Sequence, residues 1–286
     1  MRYKRAVETT QTYLENQPLP NHGKSYTVIS HKQVIDDTKN LLEASGFTIR
    51  KELYRANMNA NVAQGIYHIY PTLSQDDLIN DEKELGMMFA WTNSYDKSTR
   101  FQCAIGAYVL VCSNGMVAGD MMNFRRKHTG SAEHDIKMQL SNQIKNGEKY
   151  YTRIIKDKES LKATSLSKLQ QSEIVGRLFI DEELISSSQV SLIKKEIGKS
   201  SYDYNTEEDN AWTFYNHVTH ALKLSTPKDW LQDTQNFHDF MMANVVSNTP
   251  VSNQETTDTF WEHLMPVEVD IEVESYDGEW NDANEY

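Results

Sequence analysis

The sequence predicts an α+β fold: an N-terminal helix, an antiparallel meander of about five strands, then a helical C-terminal half and an extended acidic tail. Three observations carry this. Apolar residues recur at helical spacing just after residue 30 and again beyond residue 131. Between those stretches, from Phe47 to Phe124, the spacing shortens to two. Turn chemistry at Tyr95-Asp96-Lys97-Ser98 and Ser113-Asn114-Gly115 divides the period-two runs, as a meander requires.

The first helix is expected over His31–Ser45. Ser30 and Gln33 have capping-box spacing, Val34, Ile35, Thr38, Leu41 and Leu42 mark one face, and Gly46 sits where a C′ residue belongs. A strand follows, with Phe47, Ile49 and Leu53 alternating against a polar, basic face of Thr48, Arg50, Glu52 and Tyr54. Further strands are expected over Val62–Tyr70, Gly86–Thr92 (Met87, Phe89 and Trp91 on one face) and Arg100–Cys112. Asn114-Gly115 suits a type I′ hairpin turn, with Met116–Phe124 returning from it.

Helices are expected near Ser131–Asn146, Asp157–Ile180, Gln189–Ile197, Glu207–Leu224 and Lys228–Val246. Thr206 and Asp209 have capping spacing before Trp212. Ser200–Asn210 and Thr249–Thr259 read as polar linkers. The expected organisation is a core with a basic segment over 1–200, a helical extension packed on it over 201–250, and a linker with a flexible acidic tail over 251–286.

With 38% hydrophobic, 10% aromatic and 24% charged residues, the composition is that of a globular chain. The longest apolar stretch, Cys103 to Cys112, is about half the roughly 20 residues that a membrane-spanning helix needs. No apolar run of signal-peptide type follows Met1-Arg2-Tyr3-Lys4-Arg5. The expectation is a soluble protein in a reducing cytoplasm.

The formal charge of -12 is unevenly placed. Eleven carboxylates and no Lys or Arg lie between Glu255 and Tyr286, which leaves 30 acids against 29 bases in the body. Within that neutral body, Met121–Lys168 holds eleven bases against five acids. Such segregation bears on partners rather than on fold.

The basic segment is the first candidate site. Arg125, Arg126, Lys127, His128, Lys137, Lys149 and Arg153 would neutralise phosphates, and Phe124, Tyr150 and Tyr151 would stack on bases. The plainer alternative is a solvated basic face. The tail is the second candidate. Val267–Glu274 alternates strictly, which in an extended chain puts Glu268, Asp270, Glu272 and Glu274 on one face; Trp280 and Tyr286 add rings. It could lie across a basic groove, offer itself to a host or phage replication protein, or simply confer solubility.

Other chemistry is weakly signalled. His217 and His220 lie three apart, with His128 and His134 elsewhere, and none has zinc-site spacing. Cys103 and Cys112 read as strand residues. There is no phosphate loop, nucleophile elbow or dinucleotide fingerprint. Neither a cofactor nor a resident metal is expected, and no motif identifies an enzyme. The acids Asp76, Asp77, Asp81 and Asp96 keep a metal-dependent nuclease open as a third reading.

Asn93-Ser94-Tyr95-Asp96-Lys97-Ser98, Val111-Cys112-Ser113-Asn114-Gly115-Met116 and Arg126-Lys127-His128-Thr129-Gly130 resemble the phage/plasmid-like family known as domain of unknown function 932. Tyr26–His31 and Trp212–Thr219 add a weaker likeness. The resemblance implies a phage- or plasmid-encoded protein acting inside a bacterial cell, where such genes commonly belong to replication and recombination modules. The order of elements is also similar to that of phage single-strand annealing proteins. The expected function is non-catalytic binding of single-stranded DNA, extending to its annealing, with homo-oligomers aligning the strands. A protein that captures a host factor through its tail is the alternative.

Overall fold

The computed structural model describes residues 7–21, 28–72, 74–118, 132–204 and 209–247. Among these, six strands form one antiparallel sheet in sequential order: β1 (Val7–Thr9), β2 (Phe47–Ala56), β3 (Val62–Pro71), β4 (Leu85–Ser94), β5 (Gln102–Val109) and β6 (Gly115–Val117). Short helices α1 (Gln11–Glu15) and α3 (Asp77–Asp81), like β1, have too few residues to show a period.

Helix α2 (His31–Ala44) starts where the sequence places it, with Ser30 Oγ accepting from Gln33 N at 3.0 Å. It ends at Gly46, whose φ of +82° is cheap only for glycine. Helices α4 (Ala132–Lys145) and α5 (Gly147–Ala163) join α2 against one face of the sheet. Ile35, Leu42, Phe47, Tyr67, Phe89, Trp91, Ile105, Leu140 and Ile154 meet there in the main core.

The expected alternation in β2 breaks at Arg50. Ile49 pairs with Ile69 and Lys51 with His68, so Arg50 is an extra residue, a bulge. A one-residue insertion swaps the faces beyond it. Phe47 and Ile49 therefore share the core face with Glu52 and Tyr54, while Lys51, Leu53 and Arg55 turn to the other face. Tyr54 is buried against Tyr67 rather than standing on a basic surface.

The expected Asn-Gly turn is not formed. Val109 N donates to Asn114 O, and Cys112 N and Ser113 N donate back to Val109 O. The loop is thus Leu110–Ser113, with Ser113 at φ +56°, and Gly115 already pairs with Tyr108 inside the sheet. Asn114 is held out of the turn by its own side chain, which donates to Asn216 O at 2.9 Å. The described part of the returning strand ends at Val117.

One helix expected over Asp157–Ile180 is two, α5 and α6 (Lys168–Ile180). Ser167 and Gln170 form a complete capping box that starts α6. The break between them pairs with the approach to α8 (Ala211–Leu222): Leu166 N donates to Asp209 O and Ala211 N to Thr164 O. That pairing overturns the linker reading of Ser200–Asn210, since Tyr204 and Asn210 are both buried. The cap of α8 is Asn210, accepting from Thr213 N at 2.9 Å, rather than Thr206.

Helix α7 (Ser187–Gly198) packs on α8, and α8 on α5. Helix α9 (Trp230–Met241), extended by a π turn over Met242–Val246, lies on the second sheet face. There Trp230 and Leu231 cover Met88, Ala90, Ala104 and Val117.

Candidate nucleic-acid interface

Helix α5 divides cleanly. Tyr151, Ile154, Ile155, Lys158 and Leu161 face inward. Lys149, Arg153 and Lys156 face out as a row of exposed cations, and Lys145, also exposed, ends α4. At 1.5 Å rise per residue, charges four apart on a helix stand about 6 Å apart along its axis. The row borders an open groove of about 580 Å³, lined by Asp76, Glu148, Lys149, Thr152, Arg153 and Lys156. Arg153 Nε lies 3.7 Å from Asp157, whose carboxylate also meets His238 Nε2 at 3.1 Å. Tyr215 closes this chain at His238 Nδ1.

The sequence-derived candidates separate on this surface. Lys149 and Arg153 come together at the groove, and Lys156, absent from the expected set, joins them because it lies one helical turn on. Lys137 stands apart on α4, 3.5 Å from Asp37. Tyr151 is a correction: it is 3% exposed and its hydroxyl donates to Leu85 O at 2.8 Å, so it belongs to the core and cannot stack on a base. Tyr150 is half-buried against the same core. Phe124, Arg125, Arg126, Lys127 and His128, and the tail residues Glu268, Asp270, Glu272, Glu274, Trp280 and Tyr286, lie outside the described residues.

A second cationic surface lies on the sheet face opposite the main core. The Arg50 guanidinium stacks over the Tyr70 ring, 3.9 Å from its centroid. Beside it the His68 and Tyr108 rings lie parallel, 3.6 Å apart, with Lys51 close by. Burial, and secondarily Lys51, lowers the His68 pKa to about 4, so the imidazole is neutral at neutral pH. Arg55 is no part of this surface. Its guanidinium donates inward to Lys223 O and Ser225 O at 3.1 and 2.6 Å, tying β2 to the α8–α9 connection.

The motifs that carry the resemblance form two buried polar networks. In one, Asn93 Nδ2 donates to Ile29 O and to His31 Nδ1, both at 3.0 Å. His31 Nε2 then donates to Ala60 O, and Tyr95 stacks on the ring at 3.9 Å while accepting from His31 N. In the other, Asn114 Nδ2 donates to Asn216 O and Oδ1, and Lys223 Nζ donates to Cys112 O. Burial raises the Cys112 thiol pKa and lowers that of His217 to about 4. The Tyr204 hydroxyl sits beside Cys112 and Asn114 without a well-aligned hydrogen bond to either. These residues pin the β5–β6 loop to α8.

Two of the four candidate acids, Asp76 and Asp96, have structural partners. Asp76 caps α3 through Leu78 N and accepts from Thr152, and Asp96 accepts from Ser98 N. Among the described residues no three His, Cys, Asp or Glu side chains are grouped to hold a metal, and no helix is long and apolar enough to cross a membrane.

Comparison with curated proteins and with solved structures finds no match. A family model does match, over residues 18–257, which takes in strands β2 to β6, the helices on both faces of the sheet and both motif networks. The chain belongs to the family described as Domain of unknown function (DUF932).

Proposed function

We propose that this protein is a nucleic-acid-binding protein that works without catalysis, in a replication or recombination module of a phage, in the cytoplasm of its bacterial host. Single-stranded DNA is the ligand, and annealing is the activity that such binding would serve. The observation that supports this reading is the row Lys149, Arg153 and Lys156 on α5 beside an open groove. A regular line of exposed cations on a rigid helix follows a phosphate backbone and gives an affinity set by counterion release. Arg125, Arg126 and Lys127 add three further bases to the same stretch of the sequence.

The test is a salt titration of oligonucleotide binding to the full chain. Wild type should bind at low salt with a steep loss on adding salt. Lys149→Ala/Arg153→Ala and, separately, Arg125→Ala/Arg126→Ala/Lys127→Ala should each weaken binding and flatten the slope by about one unit per phosphate contact removed. No binding by wild type at 20 mM salt would reject the reading.

A further inference from the structure

We propose that the open part of the second sheet face, centred on Tyr70 and Arg50, is a base-stacking subsite that takes a single strand rather than a duplex. The proposal rests on the nucleic-acid reading above and adds to it the place where bases, rather than phosphates, are held.

Among the described residues, helix α9 covers this face over β4, β5 and β6 and reaches Ile66 of β3, through the cluster of Trp230 and Leu231. At the far end of β2 and β3, Thr48, Arg50, Lys51 and Tyr70 are exposed. Tyr70, paired with Thr48 near the end of β3, keeps 40% of its surface open.

The bulge at Arg50 decides the charge of the patch. It sends Glu52 to the opposite face, where it pairs with Lys39 at 2.7 Å. Arg50 and Lys51 are left without a neighbouring acid on their own face of β2. The Arg50 guanidinium instead lies flat on Tyr70, and its charge is also felt at Tyr108. Two planar groups and two cations thus share one small area. His68, buried and stacked on Tyr108, acts as a positioning residue: it holds that ring beside the patch.

A base can add to the Arg50–Tyr70 stack through its π face, while Lys51 meets the adjoining phosphate. Every base has such a face, so the subsite has no need of sequence. A duplex cannot use it, because its bases are already stacked on one another and paired. An acidic peptide would satisfy the cations and leave the ring idle.

The experiment measures full-chain binding, by fluorescence anisotropy, to three probes of equal length: oligothymidylate, an abasic deoxyribose-phosphate strand and a duplex. Wild type should prefer oligothymidylate over the abasic strand by on the order of tenfold. Tyr70→Ala should bring the two to the same affinity, and Tyr70→Phe should keep the preference. Lys149→Ala/Arg153→Ala should weaken all three probes alike. The subsite alone is overturned if Tyr70→Ala leaves the preference intact while the α5 variants weaken binding. It is also overturned if an acidic peptide of equal charge competes as well as unlabelled oligothymidylate. Absence of any binding by wild type removes both this proposal and the reading beneath it.

Discussion

Tyr108 of β5 reaches across β4 to lie parallel to His68 of β3, with 16° between the rings and 3.6 Å between their centroids. The two strands are not neighbours in the sheet. The rings meet because Gly86, on the strand between them, has no side chain: a Cβ there would stand 2.3 Å from the Tyr108 ring.

Gly86→Val should therefore expel Tyr108. Forcing a branched side chain into that space costs about 1–3 kcal/mol by the usual scale of overpacking. The His68–Tyr108 pair should separate, which is visible as a downfield return of the ring protons of both residues in NMR spectra. Gly86→Val with Tyr108→Ala should regain stability relative to Gly86→Val alone. Additive losses in that cycle would show that the two positions are not coupled.

The β5–β6 loop gives two neighbouring substitutions with opposite signs. Asn114→Ala removes the donor to Asn216 and leaves a buried amide acceptor unpaired, at a cost of about 1–3 kcal/mol. Ser113→Gly relieves a serine held at φ +56° and should stabilise the protein by about 0.5 kcal/mol. Urea denaturation of the two single variants reads both. A stability loss in Ser113→Gly equal to that in Asn114→Ala would contradict the turn described.

Those same residues show what the sequence revealed and what it hid. The order of helix, meander and helices followed from the change in apolar period, and the cap at Ser30 and stop at Gly46 were local signals read correctly. Asn114-Gly115 misled because a dipeptide that favours a turn was outweighed by Asn216, 102 residues away in the chain. The bulge at Arg50 had no local mark at all, since only the register against β3 defines it. Lys149 and Arg153 were legible as basic residues on a helix. Tyr151 was not legible as core, because Leu85 O, its partner, comes from a distant strand.

Helix α5 is fastened to the approach of β4 by a buried ion cluster. Lys158 Nζ lies 2.9 Å from both Glu82 and Glu84, and the Lys158 and Glu82 side chains are each 4% exposed. Lys158→Ala leaves Glu82 charged and unpaired away from water, a loss of about 3–5 kcal/mol. Lys158→Met with Glu82→Gln removes the stranded charge and should recover much of it. Equal destabilisation of the single and double variants, measured by chemical denaturation, would show that packing rather than charge holds the helix.

The pH dependence of stability should carry two opposed contributions. The folded pKa of His68 and that of His217 are both lowered to about 4 by burial, against an ordinary value of 6.5. Between those limits the unfolded chain binds protons that the folded one refuses, so stability falls as pH drops through 6.5 toward 4. At pH 5 each histidine should cost about 2 kcal/mol relative to pH 7.5. Asp233 works the other way. Burial, with Asp229 adding to it, raises its pKa to about 7, from 3.8, although Ser225 pulls it down. The folded state there keeps a proton that the unfolded state has lost, and its contribution disappears as pH rises from 4 to 7. Asp233→Asn should therefore stabilise the protein at pH 8 and change little at pH 4. His68→Phe and His217→Phe should each lessen the loss between pH 7.5 and pH 5. Denaturation midpoints at pH 4, 5, 7.5 and 8 distinguish these effects, and a loss on acidification that survives both histidine substitutions would place its origin in the carboxylates.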